Sequence, residues 1–185
     1  SAGFGETDMS GGCSGQRAGG LDSQRRNTIL DRGKGVLMLI KRRKPRAANV
    51  GIFAVGHDTY WGQFEGLLDE LMGYHAKFRK KLEANGVTVT DFGMVDNAAS
   101  AYAAVKKLKA ADLDLIFCDM VTYATSSTWG IIHRELNTPI VLVALQPRKA
   151  MDYSKASTYM QLCNDNVCSV PEFTGVSIRM GKKPP

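Results

Sequence analysis

The stretch NVGIFAVGHDTYWG, residues 49–62, runs from an apolar strand into a polar, aromatic loop made of His57, Asp58, Thr59, Tyr60 and Trp61. Residues 50–56 are apolar throughout, the pattern of a parallel strand covered on both faces. In open parallel sheets ligands bind outside the carboxyl ends of the strands, so this loop is where function is expected.

Downstream, the hydrophobic period switches regularly between strand and helix. Strands are predicted over residues 50–56, 87–92, 113–118, 140–145 and 175–180. The first helix is predicted over residues 63–84. Phe64, Leu67, Leu68, Leu71, Met72, His75, Phe78 and Leu82 share one face, acidic residues come early and basic ones late, and Asn85-Gly86 supplies the stop. A second helix follows the cap Asp96-Asn97, with Ala101, Tyr102, Val105 and Leu108 inward. A third starts near Ser126 or Ser127, carries Trp129, Ile132, His133 and Leu136, and ends before Pro139; a last one covers residues 154–162. Alternating strands and helices imply right-handed crossovers. The predicted fold class is α/β, a three-layer flavodoxin-like or Rossmann-like parallel sheet with helices on both faces.

Upstream the sequence changes character. Residues 1–35 are rich in Gly, Ser and Arg and show neither hydrophobic period, so residues 1–48 are expected to form a disordered or non-native basic leader, with the α/β domain in residues 49–185. The net charge of +6 sits there: ten lysines and arginines face four carboxylates before Asn49, and fourteen face fourteen after it. A neutral domain lacks the clustered cations that bind phosphate backbones, so no nucleic-acid partner is expected. No apolar run approaches the ~18 residues of a membrane span, which points to no membrane partner and to a cytoplasmic protein. Cys13, Cys118, Cys163 and Cys168 form no CxxC pair and have no histidine spaced to complete a zinc site, and read as reduced thiols, Cys118 in the core.

The loops at the carboxyl ends of the strands are expected to place His57, Asp58, Tyr60 and Trp61 around one crevice with Asp119, Thr122, Tyr123, Gln146 and Arg148. Aromatic platforms mixed with hydrogen-bonding groups suit a polyol. Asp119 reads as a ligand, a base, or a cap on nearby backbone N–H groups. His57 is a proton carrier or a structural residue, and His75 and His133, inward on their helices, read as hydrogen-bonded core residues. Other chemistries find no motif: no GxGxxG or GxxxxGK[ST] follows the first strand, and no GxSxG or HExxH is present.

GIFAVGHDTYWGQFEGLLDELMGYHAKF, then GMVDN, then DLIFCDMVTYATSST, then TPIVLVALQP with AMDY, resembles the amino-terminal domain of the L-fucose and L-arabinose isomerase family. The resemblance runs from Asn49 to about Lys183. It implies an opening α/β domain of a longer homo-oligomeric enzyme that interconverts aldose and ketose, with a divalent metal, usually manganese, held by carboxylates and histidines of later domains. It therefore implies no cofactor, no metal ligand and no catalytic residue within this chain, and no activity of the 185 residues alone. By position it assigns His57, Asp58, Thr59, Tyr60 and Trp61, with Gln146 from the fourth-strand loop, to the wall of a monosaccharide pocket shared with a neighbouring subunit.

Two other readings of the residues stay open. One is a stand-alone α/β module that binds a sugar or a partner in the same crevice without catalysis. The other is a basic interaction protein working through residues 1–48, whose binding would be strongly salt-dependent.

Overall fold

The computed structural model describes residues 47–183. The expectations for the leader, and Cys13 with it, lie outside the described residues apart from positions 47 and 48. Four strands, β1 (Asn49–Val55), β2 (Thr88–Val95), β3 (Leu115–Met120) and β4 (Ile140–Val143), form an all-parallel sheet in the order β2-β1-β3-β4. Helices α1 (Leu67–Ala84), α2 (Ala98–Ala110), α3 (Ser126–Glu135), α4 (Thr158–Leu162) and α5 (Val170–Arg179) cover it. The three-layer α/β architecture read from the sequence is the one observed.

The two faces follow from strand parity. On β1, Phe53 and Val55 point to the side of α2, α3 and α5, where they join Ile116, Cys118 and Met120 of β3. Ala54 points to the other side, into a smaller core with Leu67 and Leu71 of α1 and Leu162 of α4. Five of the seven β1 residues, from Ile52 to Val55 together with Val50, are 3% exposed or less, so β1 is the covered strand that its unbroken apolar run predicts. The edge strands β2 and β4 are only half-buried.

Several predicted elements shift, each for a local reason. The fifth strand over residues 175–180 is instead part of α5: Phe173 and Ser177, four residues apart, are both fully buried, and Pro171 takes the first turn where its missing N–H costs nothing. Trp129 of α3 stacks on Phe173 with ring centroids 5.2 Å apart and donates its indole N–H to the Phe173 carbonyl and to Ser177 Oγ. Burying two such rings contributes about 2–3 kcal/mol each. Helix α1 starts at Leu67 and not near residue 63, because Gly66 takes a left-handed conformation (φ 78°) that interrupts the chain before it. On α2, Ala104 is buried where Tyr102 was expected, and Tyr102 is 55% exposed. Residues 154–162 divide into a 3-10 turn, Tyr153–Lys155, and α4. Cys118, Cys163 and Cys168 are free thiols, the first two buried.

Strand β2 runs three residues past its predicted end through a bulge. Ile52 pairs with Asp91 but Ala54 pairs with Met94, so β2 inserts one extra residue opposite Phe53. Gly93 absorbs it at φ 77°, and its N–H donates to Asp91 Oδ1 at 2.8 Å. The bulge puts Asp91 and Met94 on the α1 side although they are three residues apart. A Cβ at Gly93 meets no atom within 4 Å, so its cost is conformational alone. Gly93→Ala is expected to lower unfolding free energy by about 1–2 kcal/mol in a urea melt, the penalty of a left-handed L-residue.

Candidate functional site

From β1 the chain crosses through α1 to β2 on one flank, and from β2 it returns over β1 through α2 to β3 on the other. The chain leaves the carboxyl ends of β1 and β3 in opposite directions, the arrangement that in open parallel sheets sets a binding crevice between them. Its walls are the loop after β1, residues 56–66, and the loop after β3, residues 121–125.

The first loop is anchored by Trp61. A Cβ at Gly56 would lie 2.9 Å from the Trp61 ring, so glycine is what lets the indole lie across the backbone. The indole N–H donates to Asp96 Oδ2 at 2.7 Å. Asp96 in turn accepts from Ser100 Oγ, and Asn97 and Ser100 form a reciprocal capping box at the start of α2. Trp61 thus ties the β1 loop to the β2–α2 corner. Residues Asp58–Tyr60 form a 3-10 turn on this anchor.

On that turn the His57 ring lies 5.3 Å from the Tyr60 ring and 6.4 Å from the Tyr123 ring of the β3 loop, bringing three rings from the two walls together. Thr59 Oγ1 is 2.9 Å from His57 Nδ1, and Asp58 Oδ1 is 3.2 Å from the same nitrogen. Desolvation pushes the Asp58 carboxyl up, but hydrogen bonds with Asn97 and His57 outweigh it and hold the group below its ordinary value. Burial pushes both phenols, Tyr60 and Tyr123, up from their ordinary value, so at neutral pH they are hydroxyls able to donate and accept. Fully buried Thr122 carries a hydroxyl with no partner among the described residues.

The back of this crevice comes from a segment whose role the sequence did not signal. Glu172 of α5 accepts the Ser126 N–H at 2.8 Å, placing a carboxylate at the amino end of α3, and also accepts the Tyr123 hydroxyl at 3.4 Å. Ser169 Oγ donates to the Ala124 carbonyl and accepts the Ala124 N–H, both at 2.9 Å. These side chains fix the β3 loop, yet they lie more than 40 residues away, in a region read from its pattern as loop and strand.

The single crevice expected from the four loops divides in two. Gln146 Nε2 donates to the Asn164 carbonyl, the Arg148 N–H donates to Asn164 Oδ1, and Gln146 lines a separate hollow with residues of α1. Asp119 also leaves the predicted set. It lies within β3, 4% exposed, on the α1 face, and caps no backbone N–H.

Its partner is His75. The ring of His75, fully buried on α1, lies over β1, with Nδ1 2.8 Å from Asp119 Oδ2 of β3 and Nε2 3.2 Å from Asp91 Oδ1 of β2. Both ring nitrogens lie within hydrogen-bonding distance of carboxylate oxygens, an arrangement that favours the protonated ring. Burial pushes its pKa down, but the Asp119 hydrogen bond and the charges of Asp119 and Asp91 outweigh that and raise it. Arg79 Nη1, 3.8 Å from Asp91 Oδ2, is the other cation facing this pair. The expectation of a hydrogen-bonded core histidine holds for His75. It holds only in part for His133, which stacks on Trp129 at 4.7 Å while its Nε2 has no partner among the described residues. Burial and the Lys182 charge lower its pKa, leaving a neutral imidazole.

Among the described residues no three His, Cys, Asp or Glu side chains are placed to hold a metal ion. No described helix is long and apolar enough to cross a membrane. Compared with known proteins, the chain matches no family model and no curated sequence.

A raised histidine pKa carries a definite pH dependence. The folded state binds the His75 proton more tightly than the unfolded chain, so the stabilisation is complete below the unfolded value of about 6.5 and is lost as pH rises through the higher folded value. Urea melts are expected to show stability falling above about pH 6.5, with that slope reduced in His75→Leu. The same variant leaves buried Asp119 without its cation and Asp91 with Arg79 alone, and is expected to cost about 3 kcal/mol or more near neutral pH.

Proposed function

We propose that this chain is the opening α/β domain of a metal-dependent aldose–ketose isomerase of the L-fucose and L-arabinose type, and that its β1–β3 crevice walls the monosaccharide pocket. The observation that carries the reading is the meeting of His57, Tyr60 and Tyr123 at the switch point, within two of the sequence blocks that resemble that family. A sugar ring offers apolar C–H faces and a rim of hydroxyls. Aromatic rings meet the faces, and the phenols, Asp58 and Thr59 meet the rim.

Each first-loop residue has a distinct part in this reading. Tyr60 and His57 supply the contact surface, Asp58 and Thr59 supply polar groups, and Trp61 positions the turn through Asp96. Gln146 faces the other hollow and is left out of the sugar wall. The divalent metal, manganese in this reading, belongs to domains other than the one described, and so does the proton transfer it assists. The partners are the monosaccharide and neighbouring copies of the same subunit, in the cytoplasm.

The test is a ketose-forming assay with L-fucose and L-arabinose on the protein translated from the whole reading frame that contains this chain. Manganese-dependent turnover is expected, with kcat/KM reduced about tenfold or more in His57→Ala and Tyr60→Ala, and no turnover is expected from the 185-residue chain by itself. Turnover by the 185 residues alone, or no turnover by the whole protein, contradicts the reading. Unchanged kcat/KM in both variants removes the crevice from it.

A further inference from the structure

The second hollow, on the α1 face of the sheet, has a volume of about 270 Å³ and shares no lining residue with the first loop. One rim is α1, which presents Lys77 and Lys81 one helical turn apart, with Phe78 between them. The Lys77 ammonium lies 5.0 Å from the centre of the Tyr74 ring, at the mouth. The opposite rim is Leu145, Gln146 and Pro147, which follow β4; Leu145 is 55% exposed. The floor is built from the sheet and the loop after α4: Asp119, Val121 and Asn166.

Two polar groups on that floor have hydrogen-bonding capacity to spare. Asn166 is 2% exposed; its Nδ2 donates to the Met120 carbonyl at 2.8 Å, while its Oδ1 is buried with no partner among the described residues. Turning the amide over would set its oxygen against the Met120 carbonyl, so the orientation is fixed. Asp119 gives Oδ2 to His75, and among the described residues its other oxygen accepts no hydrogen bond. Both are acceptors that hydroxyl groups can satisfy, Asp119 directly and the Asn166 oxygen, which is closed off from solvent, after a small shift of its side chain. At the mouth the requirement reverses: two ammonium groups at i and i+4, with side-chain roots about 5–6 Å apart, can close on a group carrying two negative charges. Phe78, Val121 and Pro147 add apolar lining for a short carbon chain.

We propose that this hollow is a binding site for a short polyol carrying a terminal phosphate, its hydroxyls directed to Asp119 and Asn166 and its phosphate to Lys77 and Lys81. The site adjoins the sugar crevice at Val121 but uses none of its sugar-facing residues, and it does not depend on the isomerase reading. Lysine is suited to the task as a point charge on a flexible stem, and such contacts weaken as salt screens them.

The experiment is an NMR titration of the 185-residue chain with glycerol 3-phosphate, with glycerol and inorganic phosphate as separate probes. Glycerol 3-phosphate is expected to shift the amide signals of Val121, Gln146 and Asn166 saturably, with glycerol and phosphate each at least about tenfold weaker. The double variant Lys77→Gln/Lys81→Gln, at two exposed positions that leave the core untouched, is expected to weaken that binding about tenfold. Inorganic phosphate binding as tightly as glycerol 3-phosphate would reduce the site to two surface lysines and overturn the proposal. So would shifts confined to His57, Tyr60 and Tyr123, an unchanged affinity in the lysine variant, or no saturable shift.

Discussion

A fully buried histidine between two carboxylates ties helix α1 to strands β2 and β3. His75 lies above the central strand β1 and reaches a carboxylate on each neighbouring strand, Asp91 on β2 and Asp119 on β3. Desolvating the His75 ring and Asp119 is costly separately and tolerable when they pair, and Asp91, still 23% exposed, adds a second acceptor. The arrangement dictates more than the seating of α1. Asp91 can face the ring because the Gly93 bulge holds its carboxylate through the Gly93 N–H, and that bulge restores parity so that Val95 enters the opposite core. With α1 fixed at its middle, its amino end fixes where the β1 loop must return, and its later turns form one rim of the hollow beside Asp119.

The β1–β3 switch point and the hollow beside α1 differ in chemistry. The crevice between β1 and β3 is aromatic and half-exposed, organised around His57, Tyr60 and Tyr123 and braced from behind by Ser169 and Glu172. The hollow beside α1 has a carboxylate and an amide on its floor and two lysines at its mouth. Uncharged polyols match the first. The second combines hydrogen-bond acceptors inside with positive charge outside. A parallel sheet with a switch point makes such neighbouring sites without extra machinery, since the residues that differ between them sit on loops, along α1 and at the end of β3.

What was legible in the sequence follows from how local its causes are. The unbroken apolar run of β1, the Asp96-Asn97 cap and the Ser126 start of α3 depend on a few adjacent residues, and the structure has each of them. The role of His75 as a bonded core residue was readable from its place on the apolar face of α1, but its two partners were not, because they lie 16 and 44 residues away on different strands. The stretch around Gly175 alternates like a strand for a few residues, and only the contact of Phe173 and Ser177 with Trp129 selects the helix. Gln146 was grouped with His57 because both follow strands on one edge; the separation arises from Asn164, which draws the β4 loop towards the α1 side. Glu172 and Ser169 carried no signal, since nothing in their own segment marks them as supports of the β3 loop.

The central functional claim is that the β1–β3 crevice receives a monosaccharide. The most direct measurement is amide and aromatic NMR mapping of the 185-residue chain during titration with L-fucose and L-arabinose, separately from any activity. Saturable shifts centred on His57, Tyr60, Thr122 and Tyr123, without matching shifts at Lys77, Lys81 and Asn166, are the expected result. A spectrum in which those crevice signals stay still while sugar moves others, or none, would contradict it.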